Sequence, residues 1–256
     1  MLRTTVSVGF AILWTGLMIV PLAAGVLLTG SHDGAGWVTS HIWAPPLLWV
    51  AGVTLRVDPL PPLDPKQPYV FMSNHQGLFD IPATVAALPR PVRFVAKRAL
   101  ARIPVFGWEL HIAGHVIIDR ENQPRAVQSL RRAAAKIARG ANVLIYPEGT
   151  RTEDEAGALR GFKKGGFMLA LEAQAPIVPI AVDGSHRIRQ KHGRAIRAGE
   201  IRVKVGAPIP TRGLTAADRD ALARRVRDAI IDLHLSIGGA GGDREAVYAP
   251  PRARPA

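Results

Sequence analysis

A sheet that is mostly parallel or mixed, flanked by helices and preceded by a membrane-associated helical segment, is the α/β architecture this sequence predicts. Three observations lead there. The chain opens on a long apolar run without charge. From about residue 57, short apolar strands alternate with longer helix-like segments. One of those segments, 123–139, carries a single apolar stripe on an otherwise basic helix. A chain of 256 residues can bury one substantial core and carry an appendage.

No Asp, Glu, Lys or Arg occurs from Thr4 to His32, and that run is long enough to cross about 30 Å of hydrocarbon as a helix. Arg3 in front of it suits a signal peptide as well. However, the apolar stretch outlasts a typical signal core and stays apolar beyond Ala23-Ala24, which favours a retained anchor. A second charge-free stretch, "GWVTSHIWAPPLLWVAGVTL", offers Trp37, Trp43 and Trp49 as interfacial side chains, and Pro45-Pro46 interrupts it as a spanning helix. As a hairpin, the two stretches place Arg3 and Arg56 on one side, the cytoplasmic side of a cell (inner) membrane by the positive-inside tendency. Residues 1–56 are thus expected to form an anchoring segment, and "DPLPPLDPKQP" reads as a connector.

Strands are expected at 69–73, 93–96, 115–118, 143–146, 177–182 and 201–205. Helices are expected near 80–88, 104–112, 123–139, 164–174 and 215–233. In the 123–139 segment Val127, Leu130, Ala134 and Ile137 form the stripe, while Arg125, Arg131, Arg132, Lys136 and Arg139 fall mostly elsewhere. The folded domain is expected over 57–236. The tail 237–256, rich in Gly, Pro and Arg, is expected to be disordered.

Composition narrows the partners. Thirty-three Lys and Arg against twenty Asp and Glu give a net charge of +13, which calls for an acidic partner: nucleic acid, anionic lipid or a phosphorylated substrate. Aromatic residues are sparse and none interleaves with a basic run, so no nucleic acid is expected. The chain has no Cys, which excludes disulfides, thiolate metal sites and a cysteine nucleophile.

In open α/β sheets ligands bind where strands end, and these strand ends are chemically rich. The first runs into "NHQGLFD", with His75 and Asp80 five apart. On a regular helix five residues separate two side chains by about 140°, so a turn at Gly77 must bring them together. On its own Asp80 can equally be the N-cap of a helix beginning at Ile81-Pro82. Further on come "KRALARIPVFGW" with Lys97, then "DR" with Arg120, then "PEGTRT" with Glu148 and Arg151, and "GFKKGG" with Lys163 and Lys164. Transfer of an acyl group to a hydroxyl beside a phosphate needs such a set. An imidazole takes the hydroxyl proton, a carboxylate fixes its tautomer, and guanidinium groups grip phosphate oxygens. Backbone N–H groups around Gly149 suit the phosphate or the oxyanion.

In this the sequence resembles the lysophosphatidic acid acyltransferases, the 1-acyl-sn-glycerol-3-phosphate acyltransferase family. "NHQGLFD" matches its N-H-x4-D block, "GHVIIDR" its G-x-x-x-I-D-R block, "YPEGTRT" its F-P-E-G-T-R-S block and "APIVPIAV" its proline-bearing fourth block, all in order; "GFKKGG" matches its F-K-x-G element. The resemblance implies a glycerolipid acyltransferase-like fold, with His75 as catalytic base and Asp80 as its partner. It also implies a phosphate site of Arg120, Glu148, Gly149, Thr150 and Arg151, and a substrate or acyl-donor pocket involving Asn74, Lys97, Lys163, Lys164 and Pro179. Tyr146 stands for Phe and Thr152 for Ser, both mild departures.

The implied reaction moves a fatty acyl group from acyl-CoA or acyl-carrier protein to the free hydroxyl of 1-acyl-sn-glycerol 3-phosphate, giving phosphatidic acid, without cofactor or metal. The expected partners are therefore membrane lipids, the lysophospholipid and the acyl donor. Two alternatives stand beside it: acylation of another lyso-lipid such as lyso-ornithine lipid, and a lipid-phosphate binding protein without turnover. Glu148 serves equally as a brace for the turn at Gly149 or as an orienting group. The basic face of 123–139 is a solvated surface, or a dock for acidic acyl-carrier protein or coenzyme A phosphates. "HIAGH" places His111 and His115 four apart as zinc ligands would be, but no Glu follows His111 and Gly114 breaks the helix, so no metal is expected.

Overall fold

The computed structural model describes residues 1–119 and 123–250. The chain begins with helices α1 (Leu2–Leu17) and α2 (Ile19–Thr29), which run on as one apolar stretch interrupted at Met18. Pro21 has no N–H to give the carbonyl of Leu17, which accounts for the break. Helix α3 (His32–Val38) turns back and passes through a π turn at Thr39–Trp43 into α4 (Ala44–Ala51). Pro45 and Pro46 lack the N–H groups that a regular turn there needs, and the wider turn, closed by Ala44 N–H on Thr39 O, carries the helix past them. The two arms touch backbone to backbone. A side chain on Gly34 would stand 2.1 Å from the carbonyl oxygen of Gly25, so only glycine fits that crossing.

The arms do not stand apart from the sheet. Ala44, Leu47, Leu48 and Ala51 pack in one core with Phe71, Leu144, Val178 and Ile180 from the strands. The Arg3 guanidinium donates to Ala51 O at the end of α4, where a cation suits the helix terminus. What stays outside is apolar: Leu2, Val6, Ile12, Leu13, Leu17, Val20, Leu27 and Leu28 are all exposed. Of the three tryptophans expected at an interface, Trp37 and Trp49 are exposed. Trp43 is buried, its Nε1 donating to Thr15 Oγ1 at 3.0 Å.

The sheet has seven strands: β1 (Val53–Val57), β2 (Val70–Ser73), β3 (Arg93–Lys97), β4 (Val116–Ile118), β5 (Val143–Ile145), β6 (Ile177–Asp183) and β7 (Gly199–Val205), in the order β1-β7-β6-β2-β5-β3-β4. Every neighbouring pair is parallel except β6 and β7. Helices α5 (Asp80–Ala87), α6 (Phe106–Ile112), α7 (Gln123–Ala138), α8 (Gly165–Ala173), α9 (Ser185–Ile188) and α10 (Arg219–Ser236) complete the chain. Helices α7, α8 and α10 cover one face through Ala134, Ile137, Phe167, Leu169, Val226 and Ile230, while α4 and α5 cover the other.

Two expectations are corrected. The sheet begins before residue 57: β1 pairs in register with β7, from Val53 opposite Gly199 to Val57 opposite Val203. The chain leaves α4 at Gly52 straight into this strand, so no polar boundary marks the change in the sequence. The tail is ordered as far as it is described. Leu159 N–H donates to Gly241 O and Phe162 N–H to Val247 O, each at 2.8 Å, and Ala249 N–H donates back to Phe162 O at 3.0 Å. Backbone pairing holds this strap, and composition carries no trace of that. Residues 251–256 lie outside the described residues.

Candidate active site

Strand β2 delivers the "NHQGLFD" turn at the carboxyl end of the sheet, and Asp80 opens α5 immediately after it. The turn wraps around one carboxylate oxygen. Asp80 Oδ2 accepts from His75 Nδ1 at 2.6 Å, from Gln76 N–H at 2.6 Å and from Gly77 N–H at 2.8 Å. Gly77 is required because a side chain there would meet Ser185 Oγ at 2.2 Å. Asp80 is fully buried and accepts the hydrogen bond from Nδ1–H, which keeps the ring proton on Nδ1 and leaves Nε2 as the basic atom; His75 lines the adjoining cavity. The Tyr146 ring stacks on the imidazole at 4.2 Å between centroids and fixes its plane. Burial raises the Tyr146 phenol above its ordinary range, so it stays neutral.

Neighbouring loops are tied to this turn through Glu148. Its Oε1 accepts from His75 N–H at 2.7 Å and its Oε2 from Arg160 N–H at 2.9 Å, while Thr152 N–H donates to His75 O at 2.8 Å. Glu148 is therefore a brace between three loops, a different role from the two the sequence suggested, since these two bonds reach neither Gly149 nor Arg151. Burial pushes its carboxyl up to about 8 in spite of those two donors. Gly149 N–H closes a turn onto Tyr146 O at 3.0 Å.

The cavity beside His75 has a volume of about 490 Å³ and walls that are mostly apolar, drawn from α1, β3, α5 and α6. Arg151, Arg189, Lys191 and Lys97 all line it; Arg151 and Arg189 are close enough to repel, and the Lys191 ammonium is paired with Glu153. Burial and the adjacent Arg189 draw the Arg151 guanidinium below its ordinary pKa, with Asp80 opposing. Two crowded guanidinium groups are relieved by an anion between them.

The expected residues thus sort into groups. His75, Lys97, Gly149, Thr150 and Arg151 share the cavity wall, and Asp80 stands directly behind His75. Asn74 points away from it: its amide bridges β6, accepting from Val182 N–H at 2.7 Å and donating to Val182 O at 2.8 Å. Pro179 lies within β6 opposite Met72 and does not line the cavity. Lys163 and Lys164 do not line it either, and the Lys164 ammonium sits 4.9 Å over the Tyr248 ring. Arg120 lies outside the described residues. His111 and His115 part company, the first bonding its own helix at Gly107 O and the second accepting from Phe94 N–H. Among the described residues no cluster suits a metal ion. The sequence reading missed Arg189 and Lys191, although the basic run "HRIRQKHGR" just past a strand end was the signal. It also missed Tyr146 as the plate behind His75.

Comparison with known proteins identifies the family and the fold. A sequence profile of the acyltransferase family matches residues 55–183. The human 1-acyl-sn-glycerol-3-phosphate acyltransferase alpha is 35% identical over 199 residues, covering 76% of this chain and 70% of that protein. The 1-acyl-sn-glycerol-3-phosphate acyltransferase of Saccharomyces cerevisiae is 28% identical over 212 residues, 82% of this chain and 70% of its own length. Among solved structures, the 1-acyl-sn-glycerophosphate (LPA) acyltransferase PlsC from Thermotoga maritima superposes with a TM-score of 0.74 over 90% of this chain and 92% of that one; at 21% identity it establishes the shared fold. By profile and by identity across three quarters of its length, the chain belongs to the 1-acyl-sn-glycerol-3-phosphate acyltransferase family and is an acyltransferase.

Proposed function

We propose that this protein moves a fatty acyl group from acyl-CoA or acyl-carrier protein to the free hydroxyl of lysophosphatidic acid, giving phosphatidic acid. The observation that carries the proposal is the 2.6 Å bond from His75 Nδ1 to Asp80 beside an apolar cavity edged by Arg151 and Arg189. Its lipid substrate also agrees with the names its relatives bear.

In the proposed reaction the guanidinium groups and Lys191 hold the phosphate of the acceptor, and the acyl chain lies in the cavity. Nε2 of His75 takes the proton of the acceptor hydroxyl as its oxygen attacks the thioester carbonyl carbon. Asp80 stabilises the imidazolium so formed. The tetrahedral intermediate then collapses, the carbon–sulfur bond breaks, and the imidazolium proton passes to the departing thiolate. The new ester takes the acyl group, every proton is accounted for, and the step needs no cofactor. Exposed apolar side chains along α1 and α2, a helical run of 28 residues, support anchoring in the cell (inner) membrane, with Arg3 and Arg56 and the catalytic domain on the cytoplasmic side.

The test is an acceptor panel: membranes carrying the protein, a labelled acyl donor, and lysolipids with and without a phosphate. Label in phosphatidic acid that disappears in His75→Ala is the expected result. Transfer confined to a phosphate-free acceptor, such as lyso-ornithine lipid, would overturn the substrate assignment. No His75-dependent transfer to any acceptor would leave only a binding protein.

A further inference from the structure

One wall of the cavity is a single face of α1, through Ser7, Val8, Ala11, Ile12 and Thr15, a span of about 12 Å along the helix axis. The two ends of this face meet different surroundings. Near Ser7, the preceding turn at Thr4 accepts from Ile196 N–H, in the loop that carries Arg189 and Lys191. Past Thr15, Gly16 lies against Val105 at the start of α6, so that end belongs to α6 and to His115 just beyond it.

This second end contains two polar groups that the acyl transfer does not use. Glu109 is 4% exposed and lines the cavity, and its Oε2 has no hydrogen-bond partner among the described residues. His115 is 6% exposed and lines the same cavity. Its Nδ1 accepts from Phe94 N–H at 3.0 Å, so the neutral ring carries its proton on Nε2. Burial pushes Glu109 up to about 7 and, with Lys136, Arg93 and His32 adding to it, His115 down to about 3. Both are therefore uncharged over the lower neutral range. The Phe94 ring lies 4.7 Å from the His115 ring between centroids, and Ala96, Leu100, Phe106, Leu110 and Ile145 line the same cavity. A wall meant only for hydrocarbon gains nothing from a carboxyl and an imidazole there, because burying polar groups is costly, and most so where an atom such as Glu109 Oε2 is left unpaired.

We propose that this end of the cavity recognises a hydroxyl group on the acyl chain, which accepts from His115 Nε2–H and donates to the Glu109 carboxyl. The inference rests on the proposed function in placing an acyl chain in the cavity. A hydroxyl has one donor and two acceptor sites, so one such group answers both side chains at once. The chain belongs either to the thioester or to the lysolipid, and the chemistry at Glu109 is the same.

The experiment uses the full chain in phosphatidylcholine vesicles. One arm supplies acyl-CoA with a hydroxyl at successive chain positions, or none, to unsubstituted lysophosphatidic acid. The other supplies unsubstituted acyl-CoA to lysophosphatidic acid whose own chain is hydroxylated or plain. The readout is the ratio of kcat/KM, hydroxylated to plain. One position in one arm is expected to give a ratio of about 10 or more, since a site built to bond a hydroxyl discriminates against its absence. Glu109→Leu should bring that ratio to about one, whereas Glu109→Gln, which keeps a hydrogen-bonding amide in the same shape, should retain much of it. A ratio near one at every position in wild type, or an unchanged ratio in Glu109→Leu, overturns the inference. If plain donors still turn over in a His75-dependent manner, the acyltransferase reading survives that failure; if nothing turns over, it is that reading which has failed.

Discussion

At the scale of single residues the site depends on one carboxylate oxygen that collects three donors and on one carboxylate that ties three loops. Asp80→Asn replaces the acceptor facing Nδ1 with a group that favours the wrong tautomer, so it is expected to act on turnover and not on lipid binding. Glu148→Gln turns one of two acceptors into a donor facing a backbone N–H. We expect a loss of roughly 1–3 kcal/mol in denaturant unfolding, together with reduced turnover as the His75 loop loosens.

Glu148 and Glu109 also set the sign of a pH dependence. Both carboxyls lie above their ordinary value in the folded chain, at about 8 and about 7, so above the unfolded value near 4.5 the folded state binds more protons. Stability attributable to them therefore falls as pH rises through that window and levels off beyond the folded value. Glu109→Gln should gain on wild type from pH 4.5 to about 7, by on the order of 3 kcal/mol at the plateau. Urea unfolding midpoints at pH 5, 6, 7 and 8 check this, and a constant difference would contradict it. At this scale the sequence pointed to His75 and Arg151, which line the cavity, and to Asp80 behind His75, because local motifs carry them. It did not reveal Asn74 as a bridge to β6 or Glu109 as a cavity residue, since both roles depend on partners far away in the chain.

At the scale of elements, the strands and helices of the sheet domain were legible from alternation alone, and observed boundaries lie within a few residues of the expected ones, as in β2 and α10. Strand β1 was not, because Val53–Val57 continues an apolar run without a break. The C-terminal strap was not, because its order comes from backbone bonds and from the fully buried Arg227. That guanidinium donates from Nε and Nη2 to Asp243 O and from Nη1 to Arg160 O. Arg160 N–H in turn reaches Glu148, and Glu148 accepts from His75 N–H, so the strap and the His75 turn are mechanically joined. Arg227→Met is expected to raise amide exchange over 239–250 and to lower turnover as well, with a stability cost of about 3 kcal/mol or more from the carbonyls left unpaired. Fast exchange in the strap with unchanged turnover would uncouple the two. In the amino-terminal arms Gly34→Val, which forces a side chain into the Gly25 carbonyl, should cost roughly 1–3 kcal/mol of stability through overpacking, read as a lower melting temperature in detergent.

At the scale of the whole molecule the helices that look like a membrane tether also form part of the cavity that His75 lines. Ser7, Ala11 and Thr15 of α1 face it, while Leu2, Leu13 and Leu17 face outward. An amphipathic division of this kind is invisible in a run where nearly every residue is apolar, and it explains why 1–56 and 57–236 do not separate cleanly. Removing residues 2–17 should therefore abolish turnover even of short-chain substrates presented in solution, and retained turnover would show that α1 is only an anchor. The central claim, an imidazole oriented by its buried carboxylate partner, is tested most directly by the kcat of Asp80→Asn with lysophosphatidic acid and acyl-CoA. A fall of about 10³–10⁴-fold in kcat at little-changed KM is the predicted result, and a kcat within severalfold of wild type would contradict it.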